Sequence, residues 1–377
     1  MSRSREPAEP AVTEAAVARR WHLTFNEPVE TCLSIPGAAP APTGSIDAGV
    51  PWHYGDPHAE QRALESGRGA VDLSHRDVLR ITGADRLGWL HSLTTAALDR
   101  LAPGDSALAL ILSPHGHVEH ELHVIEDGTA TWITVEPGEG SRLAAYLRSM
   151  QFMLRVEVAE LREEFGVVWE PVRLPDLHVP TWLVPLEYAG QGSTAAGIDR
   201  GGDASRYVGH RPAHLVGREV VLPRSQVRQR VLDSGAPAGT WALEALRIAA
   251  AVPRLGLETD HRTLPHEVGW VGPAVHLAKG CYRGQEAVAR VHNLGQPPRR
   301  LVLLHLDGSH EVLPAHGDVV LLGEREVGWI GSSARHHEWG PIATAIVKRS
   351  VDRVADLIVS AQGEHVAAGQ EAVTLAP

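Results

Sequence analysis

Apolar and polar residues alternate with two different periods along the chain. Capping residues and apolar residues at helical spacing predict helices over 57–67, 84–93 and 139–150, and from 240 to the proline at 253. Runs typical of strands lie between the first helices, at 77–81, 107–112, 118–125, 130–135, 154–158 and 165–169. Helices interspersed with strands that short links join favour an antiparallel α+β fold over a doubly wound sheet.

Two of these helices have recognisable starts. Asp56 followed by Pro57 is typical of an N-cap and a first helical position, and Gly67 fits the C-cap. Thr240 is predicted to cap the later helix, which Pro253 would end.

Shifts in composition divide the chain into three parts. Residues 1–50 are rich in Ala, Pro, Glu and Thr, which predicts a mobile N-terminal leader. Residues 51–295 carry the α+β pattern. From about 296 the pattern changes to strand-like runs separated by turn residues, which predicts a β-barrel over 296–377.

Composition excludes several classes of protein. The 377 residues include 35 basic and 46 acidic ones, a net charge of −11, which disfavours a role in gripping nucleic acid. The apolar runs are too short for a membrane span of about 20 residues. Two distant cysteines, Cys32 and Cys281, form neither a disulfide framework nor a cysteine-rich metal site, so a cytoplasmic location is expected.

The segment around Cys281 carries the most distinctive chemistry. Two glycines bracket the cysteine, so the backbone can bring its thiol toward a surface or a ligand. Three nearby cations could stabilise a thiolate, and an amide and a carboxylate could recognise a polar ring or a partner. An inert, buried cysteine in a turn that leads into a strand is an equal alternative. The residues of this motif are Lys279, Gly280, Cys281, Tyr282, Arg283, Gly284, Gln285, Glu286 and Arg290.

This motif resembles the signature of the YgfZ family of folate-binding proteins. That family is related to the T-protein of the glycine cleavage system, an aminomethyltransferase that uses tetrahydrofolate. Other segments resemble T-protein-like chains as well, so the resemblance covers roughly residues 52–300. These segments are Gly69-Ala70-Val71-Asp72-Leu73-Ser74-His75-Arg76, Leu93-Thr94-Thr95, and Leu246-Arg247-Ile248 with Pro253 and Gly256.

The resemblance implies a fold and a function. The fold would be a T-protein-like folate-binding body of two antiparallel α+β lobes with a C-terminal β-barrel. The cofactor would be tetrahydrofolate or a related reduced folate, with Arg247 meeting the folate's carboxylate tail and Glu267 meeting the pterin's N–H donors. The function would be to assist assembly or repair of iron–sulfur clusters, with iron–sulfur assembly proteins or client enzymes as partners. Cys281 would act with a partner's ligands, since one thiol cannot hold a cluster.

Departures from the T-protein pattern weigh against aminomethyl transfer. Where T-proteins have Gly-Gly-Ile-Leu-Asp-Asp-Leu, this chain places His120 and Glu121 in the positions of the two acids, and the resemblance implies that both belong to the cofactor-binding site. Strand alternation predicts that Val118 and His120 share one face and that Glu121 lies on the other. The segment whose glutamate pairs with the pterin has no clear counterpart near 216–219. We therefore expect folate binding without efficient aminomethyl transfer.

Two other functions stay open. A tetrahydrofolate-dependent aminomethyltransferase or demethylase is the first, which an acidic pair at 120–121 would have favoured. A metal hydrolase is the second, because His115, His117 and His123 share a predicted strand face with Glu119 and Glu121. Strand spacing spreads such rings along an edge instead of converging them, so no metal site is expected there.

Overall fold

A computed structural model describes residues 30–172, 174–176, 178–189 and 213–373. The helices in these ranges are α1 (Pro57–Glu65), α2 (Arg86–Leu93), α3 (Gly140–Ser149), α4 (Leu186–Ala189), α5 (Arg224–Asp233), α6 (Thr240–Ala249) and α7 (Gln285–Leu294). The strands of the body are β1 (Ala39–Pro40), β2 (Pro51–His53), β3 (Ala70–Asp72), β4 (Asp77–Thr82), β5 (Ser106–Leu112), β6 (Val118–Glu126), β7 (Thr131–Val135), β8 (Glu157–Glu160), β9 (Phe165–Glu170), β10 (Thr181–Leu183), β11 (Arg218–Pro223) and β12 (Pro237–Ala238). The remaining strands are β13 (Arg299–Leu306), β14 (Val319–Leu322), β15 (Arg325–His336), β16 (Gly340–Lys348), β17 (Leu357–Ala361) and β18 (Glu364–Ala372).

The first sheet is antiparallel, with the strand order β5-β6-β7-β4-β8. Apolar residues on one of its faces form a core with α2 and α3, to which Leu90, Leu143 and Leu147 contribute. Its other face belongs to a second, central core. This sheet therefore has two apolar faces, and one of them is directed at the interior of the body.

The second sheet has the order β10-β11-β9-β3-β12. Its pairs are antiparallel except for β3 with β12, which are parallel. Helix α5 covers one face through Val227 and Val231, while Val167 and Val221 belong to the same central core as the first sheet. The two sheets thus contribute to one interior, as expected for an α+β body of two antiparallel lobes.

Strands β13 to β18 close into a six-stranded barrel, in which β18 pairs with β13. The barrel has its own apolar core, which includes Val302, Val320 and Val359. Helix α6 packs on β15 and β16, and α1 packs on α6, so these two helices connect the body to the barrel. The predicted fold class, an α+β body with a C-terminal barrel, is confirmed.

Several local predictions are confirmed and others are wrong. The side chain of Asp56 accepts from the N–H groups of His58 and Ala59, which confirms the cap of α1. The N-cap of α6 is Gly239, so Thr240 is instead the first helical residue. Residues 285–294 form helix α7, whereas the inert alternative for Cys281 expected a strand after its turn.

The predicted leader is partly wrong as well. Residues 30–50 include a 3₁₀ turn at Cys32–Ser34, and Cys32, Ile35 and Asp47 are buried. Residues 1–29 lie outside the described residues. Within the described ranges, every helix is too short or too polar to span a bilayer.

Candidate functional site

A pocket lies between the two sheets and against α6, where the sequence predicts a ligand site in the central body. It contains about 680 Å³ of space, part of it open to solvent. Its walls come from segments that are far apart in the sequence. The lining residues are Asp47, Leu73, Arg76, Leu108, Glu121, His123, Glu136, Trp169, Trp182, Val184, Tyr188, Leu215, Glu219, Thr240, Leu243, Glu244, Arg247, Val252, Pro253 and Arg254.

Large aromatic side chains form one wall of the pocket. Trp169, Trp182 and Tyr188 are all buried, and they come from β9, β10 and α4. The indole of Trp182 stacks on the ring of His123, with centroids 3.7 Å apart and planes within 3°. Its Nε1–H donates to the carbonyl of Ala107 at 3.1 Å, which fixes the indole in place. The indole of Trp182 is therefore held in place with one face against His123, and aromatic side chains of this kind can pack against a planar ring.

Strand β6 directs Glu121 and His123 into the pocket because residues two apart share a face. His120 lies on the opposite face, where its ring is 6.1 Å from that of Tyr146 on α3. The register with β5 shifts next to Val118, so Val118 joins the central core and does not share the face of His120. The side chain of His120 therefore faces α3 and not the pocket, and its expected contact with a cofactor stays a prediction.

A buried ion network lies beneath the pocket around Arg76. Its guanidinium donates to Glu136 at 2.9 Å and to Glu219 at 2.8 Å, and His123 Nδ1 lies 2.9 Å from Glu219. Burial lowers the pKa of His123, but Glu219 and Glu121 outweigh it and raise the pKa above its ordinary value. The imidazole is therefore biased toward its charged form, in which it stacks on an indole as a cation.

Arg254 extends the same network to the other side of the pocket. It contacts Glu136 at 2.6 Å, Glu244 at 2.9 Å and Asp47 at 3.1 Å. Asp47 also lies 3.1 Å from Nε2 of His75. Burial raises the pKa of Glu136, but Arg254 and Arg76 outweigh it and hold that pKa at about 2. Asp47 and Glu136 therefore stay ionised, because each has a buried cation beside it that lowers its pKa.

Arg247 does not have the free guanidinium that a folate tail would need. It donates to Glu244 at 2.9 Å, to Glu258 at 3.2 Å, to the Val252 carbonyl at 2.5 Å and to the Ser332 hydroxyl at 2.7 Å. Ser332 lies on β15, so these bonds connect α6 to the barrel. The structure thus corrects the expected role of Arg247, which lines the pocket but is fully engaged within the protein.

Glu267 is also part of the body–barrel connection. It is completely buried, and its carboxylate accepts from Arg299 of β13 at 2.7 Å and from the Leu264 N–H at 3.1 Å. It does not line the pocket. Glu267 is thus engaged within the protein, and its expected contact with a pterin stays a prediction.

The charges that line the pocket leave a surplus of carboxylates. Five acids face three guanidinium groups and one imidazole. They are Asp47, Glu121, Glu136, Glu219 and Glu244, against Arg76, Arg247, Arg254 and His123. Within the described part of the chain, no arginine forms an ion pair with Glu121: one of its oxygens accepts from the Leu255 N–H at 3.0 Å and the other lies 3.9 Å from His123. Such a pocket favours a flat ligand that presents N–H donors over an anion.

Cys281 does not belong to the pocket. Its side chain is exposed, and it is absent from the residues that line the pocket. The thiol is thus accessible to other molecules, as expected for a functional cysteine, but it is separate from the pocket. Its chemical role stays a prediction.

Two cations of the motif are engaged in bonds that hold the loop in place. Lys279 is buried, and its ammonium group donates to the carbonyls of His91 and Thr94 at the end of α2 and to that of Ala96 at 3.1 Å. Arg283 pairs with Glu119 on β6 at 2.8 Å. Their expected role beside a thiolate is therefore corrected: both attach the loop to the first lobe.

The rest of the motif begins helix α7. Gly284 is the N-cap with a φ of 81°, and a Cβ there would lie 2.5 Å from the Ser113 carbonyl oxygen. Gln285 and Glu286 form the first turn, and Arg290 is exposed further along the helix. Glycine is required at 284 because any side chain would collide with the β5–β6 turn.

The three histidines that suggested a metal hydrolase do not meet. His115 is exposed and His117 half-buried in the turn before β6, with ring centroids 6.2 Å apart, while His123 is buried at the pocket. Among the residues that the structure describes, these three histidines form no common ligand set.

Sequence reasoning missed most of the pocket. Glu219 lies within the 216–219 stretch where no counterpart of the pterin-pairing segment was found, and β11 places it at the pocket floor. Asp47 comes from a loop without a recognised motif, and Arg254 lies within the T-protein-like run from Leu246 to Gly256 but was not itself predicted as a site residue. One feature of the sequence does point to the pocket. A charged residue within an apolar strand, such as Glu219, requires buried partners and so indicates a buried polar site.

Comparison with known proteins supports the fold. No family model matches the chain. An aminomethyltransferase from Synechococcus sp. (strain RCC307) is 28% identical over 326 residues, which are 81% of this chain and 87% of that protein. An aminomethyltransferase from Rubrobacter xylanophilus is 28% identical over 75% of this chain and 76% of its own length. The crystal structure of glycine cleavage system aminomethyltransferase T from Bartonella henselae superposes with a TM-score of 0.70, at 16% identity, over 92% of this chain and 98% of that one. The chain therefore has the fold of aminomethyltransferase T and is similar in sequence to aminomethyltransferases.

Proposed function

We propose that this protein binds a reduced folate, tetrahydrofolate or a close relative, in the pocket between its two sheets. One observation carries the proposal: a pocket with an aromatic wall and a surplus of carboxylates lies between the sheets of an aminomethyltransferase T fold. The similarity to aminomethyltransferases supports the same ligand class.

The residues present fit a pterin ring. Trp169, Trp182 and Tyr188 offer faces on which a flat heterocycle can stack. The pterin edge carries amino and ring N–H groups, and Glu121 is a pocket carboxylate with which no arginine of the described residues forms an ion pair. The arginines of the pocket are committed to acids, so the ligand's anionic tail would depend on groups other than Arg247.

We further propose that the protein acts on a one-carbon group, in the manner of an aminomethyltransferase. A bound reduced folate supplies ring nitrogens that carry one-carbon units. Glu121 would orient the ligand through an N–H donor and accept a proton from an amine, while Trp182 excludes water from the ring face. The replacement at His120 weighs less against this activity than the sequence implied, because His120 faces α3.

Ligand binding can be tested by titrating tetrahydrofolate into the full chain and measuring heat and melting temperature. We expect binding to raise the melting temperature, because a ligand that binds only the folded state stabilises it. Trp182→Leu should weaken binding at least tenfold. Trp329→Leu, a matched change on β15 beside His316, should leave the affinity unchanged. No folate-induced shift in the wild type would refute the proposal.

Catalysis needs its own test, with Glu121→Gln and Glu119→Gln as a pair. Both glutamates lie on β6, but only Glu121 lines the pocket. Transfer of an aminomethyl group to tetrahydrofolate in a reconstituted glycine cleavage system should fall at least a hundredfold in Glu121→Gln and stay near wild type in Glu119→Gln. If the wild-type protein binds folate but shows no transfer, the folate-binding part stands and the transferase part falls.

The second candidate function is assistance in iron–sulfur cluster assembly or repair, which the resemblance to the YgfZ family implies. The exposed position of Cys281 outside the pocket favours it, since a partner could reach the thiol while folate is bound. In a strain that lacks its own protein of this kind, Cys281→Ser should fail to restore iron–sulfur enzyme activity although the protein accumulates normally. Full restoration by Cys281→Ser would exclude a role for the thiol.

A further inference from the structure

Glu65, His336 and His337 meet where the last turn of α1 reaches the end of β15. One ligand atom from each lies within 4.8 Å of the other two. Nε2 of His337 is 2.5 Å from one oxygen of Glu65, and Nε2 of His336 is 3.7 Å from the other. A single carboxylate therefore faces two imidazole rings.

Neighbouring groups hold the two histidines in position. Gln61, which is fully buried on α1, donates to the Arg335 carbonyl at 3.0 Å and accepts from the His337 N–H at 2.8 Å. The ring of Trp339 stacks on that of His336 at 4.9 Å. Both imidazoles are buried, with 3% and 6% of the His336 and His337 side chains exposed, whereas 42% of the Glu65 side chain is exposed. The rings are thus preorganised, and the carboxylate is the part that can move.

We propose that Glu65, His336 and His337 form a site for a divalent transition-metal ion, with zinc as the ion that fits best. Two imidazoles and one carboxylate are a common protein ligand set for zinc, and a water can complete the tetrahedron. Tetrahedral bonds of about 2.1 Å place ligand atoms about 3.4 Å apart, so the three ligand atoms, which lie within 4.8 Å of one another, would adjust to that spacing when the ion binds. Magnesium and calcium prefer sites made of oxygen ligands alone. The bound ion would join α1 of the body to the barrel.

The hydrogen bonds of His336 affect how much each of the three ligands contributes to the affinity for the ion. Its Nδ1 accepts from the N–H groups of Glu338 at 3.2 Å and Trp339 at 3.4 Å, which places the ring proton on Nε2. Coordination through Nε2 moves that proton to Nδ1 and breaks these two long contacts. His337 and Glu65 should therefore contribute more to the affinity than His336 does.

The test uses the full chain without a histidine tag, stripped of metal with a chelator. Zinc is titrated by calorimetry and thermal melting, and cobalt by its visible absorption. We expect one zinc ion per chain, a rise in melting temperature, and cobalt bands of a tetrahedral site. Magnesium and calcium should leave the melting temperature unchanged. His337→Ala and Glu65→Gln should each weaken zinc binding at least tenfold.

A matched control is available because the barrel carries a histidine–glutamate pair without a second histidine. His310 lies 2.9 Å from Glu364, and His310→Ala should leave the zinc affinity unchanged. Equal losses in His310→Ala and His337→Ala would identify non-specific binding to surface histidines and overturn the proposal. If His337→Ala does not fold, Glu65→Gln decides, since its half-exposed side chain can change with little effect on packing. Unchanged zinc affinity in Glu65→Gln would also overturn the proposal.

Discussion

The loop around Cys281 is formed by one continuous segment of the sequence, whereas the pocket is formed by segments that are far apart in it. The loop is one continuous segment, 279–290, and most of its side chains attach it to the first lobe or begin α7. The pocket draws on segments from Asp47 to Arg254, and its polar side chains are buried in mutual ion pairs. The loop is thus one continuous motif and is built largely from positioning contacts. The pocket combines separate segments, and only some of them, such as those that carry Arg76 and Arg247, resemble a known motif.

This difference has an energetic basis. Charges at the pocket are removed from water, so each depends on its partners, and the loss of one leaves the others uncompensated. Ion pairs of the loop, such as Arg283 with Glu119, are about one third exposed and contribute little to stability. Substitutions that break ion pairs should therefore lower the free energy of unfolding strongly at the pocket and only slightly at the loop. The exception is a loop position where the backbone conformation itself is constrained.

The largest expected effect is that of Arg254→Met at the pocket. The change leaves Asp47, Glu136 and Glu244 without the guanidinium that each contacts. Removing one partner of a buried pair costs about 3–5 kcal/mol, so urea unfolding should show a loss of that size. Arg155→Met removes an exposed pair with Asp85 and should leave the unfolding midpoint unchanged. Equal losses in both variants would show that the buried network does not stabilise the fold.

Acid should reveal the same network without mutation. Burial raises the pKa values of Glu136 and Glu219, but the guanidinium of Arg254 beside Glu136 and that of Arg76 beside Glu219 hold both at about 2. Both carboxyls titrate near 4.3 in the unfolded chain, so the unfolded state takes up protons first as the pH falls. The free energy of unfolding should therefore be highest above about pH 4.5 and decline from there toward pH 2. Urea unfolding at a series of pH values measures this; a flat profile between pH 5 and 3 would contradict it.

Gly284→Ala should have an intermediate effect, at the one backbone position where the loop is constrained. Its φ of 81° and the Ser113 oxygen 2.5 Å from an added Cβ both oppose a side chain. We expect a loss of about 1–3 kcal/mol in unfolding free energy. Gly280→Ala in the same loop meets nothing within 4 Å and should be neutral. Similar stabilities of the two variants would mean that the loop does not pack against the β5–β6 turn.

Cys281→Ser should have the smallest effect on stability. The side chain is exposed, so the melting temperature should stay within about 1 °C of wild type, as surface substitutions usually do. Native-state alkylation followed by mass spectrometry should modify Cys281 quickly. Cys32 should resist, because burial and the nearby Asp72 raise the pKa of its thiol. A large drop in melting temperature would make Cys281 a structural residue.

Local patterns in the sequence predicted many of the elements and the fold class, but not the strand and helix at 218–233. The cap at Asp56, the strands from Asp77 to Val135 and the change to a barrel after residue 296 depend on spacing and on turn residues, which act over a few positions. Helix α7 was not predicted, since the glycines around Cys281 indicated a turn and Gly284 is in fact the N-cap of a helix. Strand β18, at 364–372, was also not predicted.

The ligand site depended on tertiary structure. A shift in register next to Val118 and the alternation of β6 decided that Glu121 faces the pocket and His120 faces α3. The partners of Arg247 come from α6, from the loop after it and from the barrel. Its guanidinium is therefore paired with groups of the protein itself.

The sequence by itself determined the kinds of residue available and the secondary structure that each segment forms. Which side chains meet was decided by contacts between distant segments, as when Glu65 of α1 reaches His337 after β15. The physical reason is that helix and strand periodicity depends on neighbours a few residues away, whereas a buried charge is stabilised only by the partner that the completed fold places beside it.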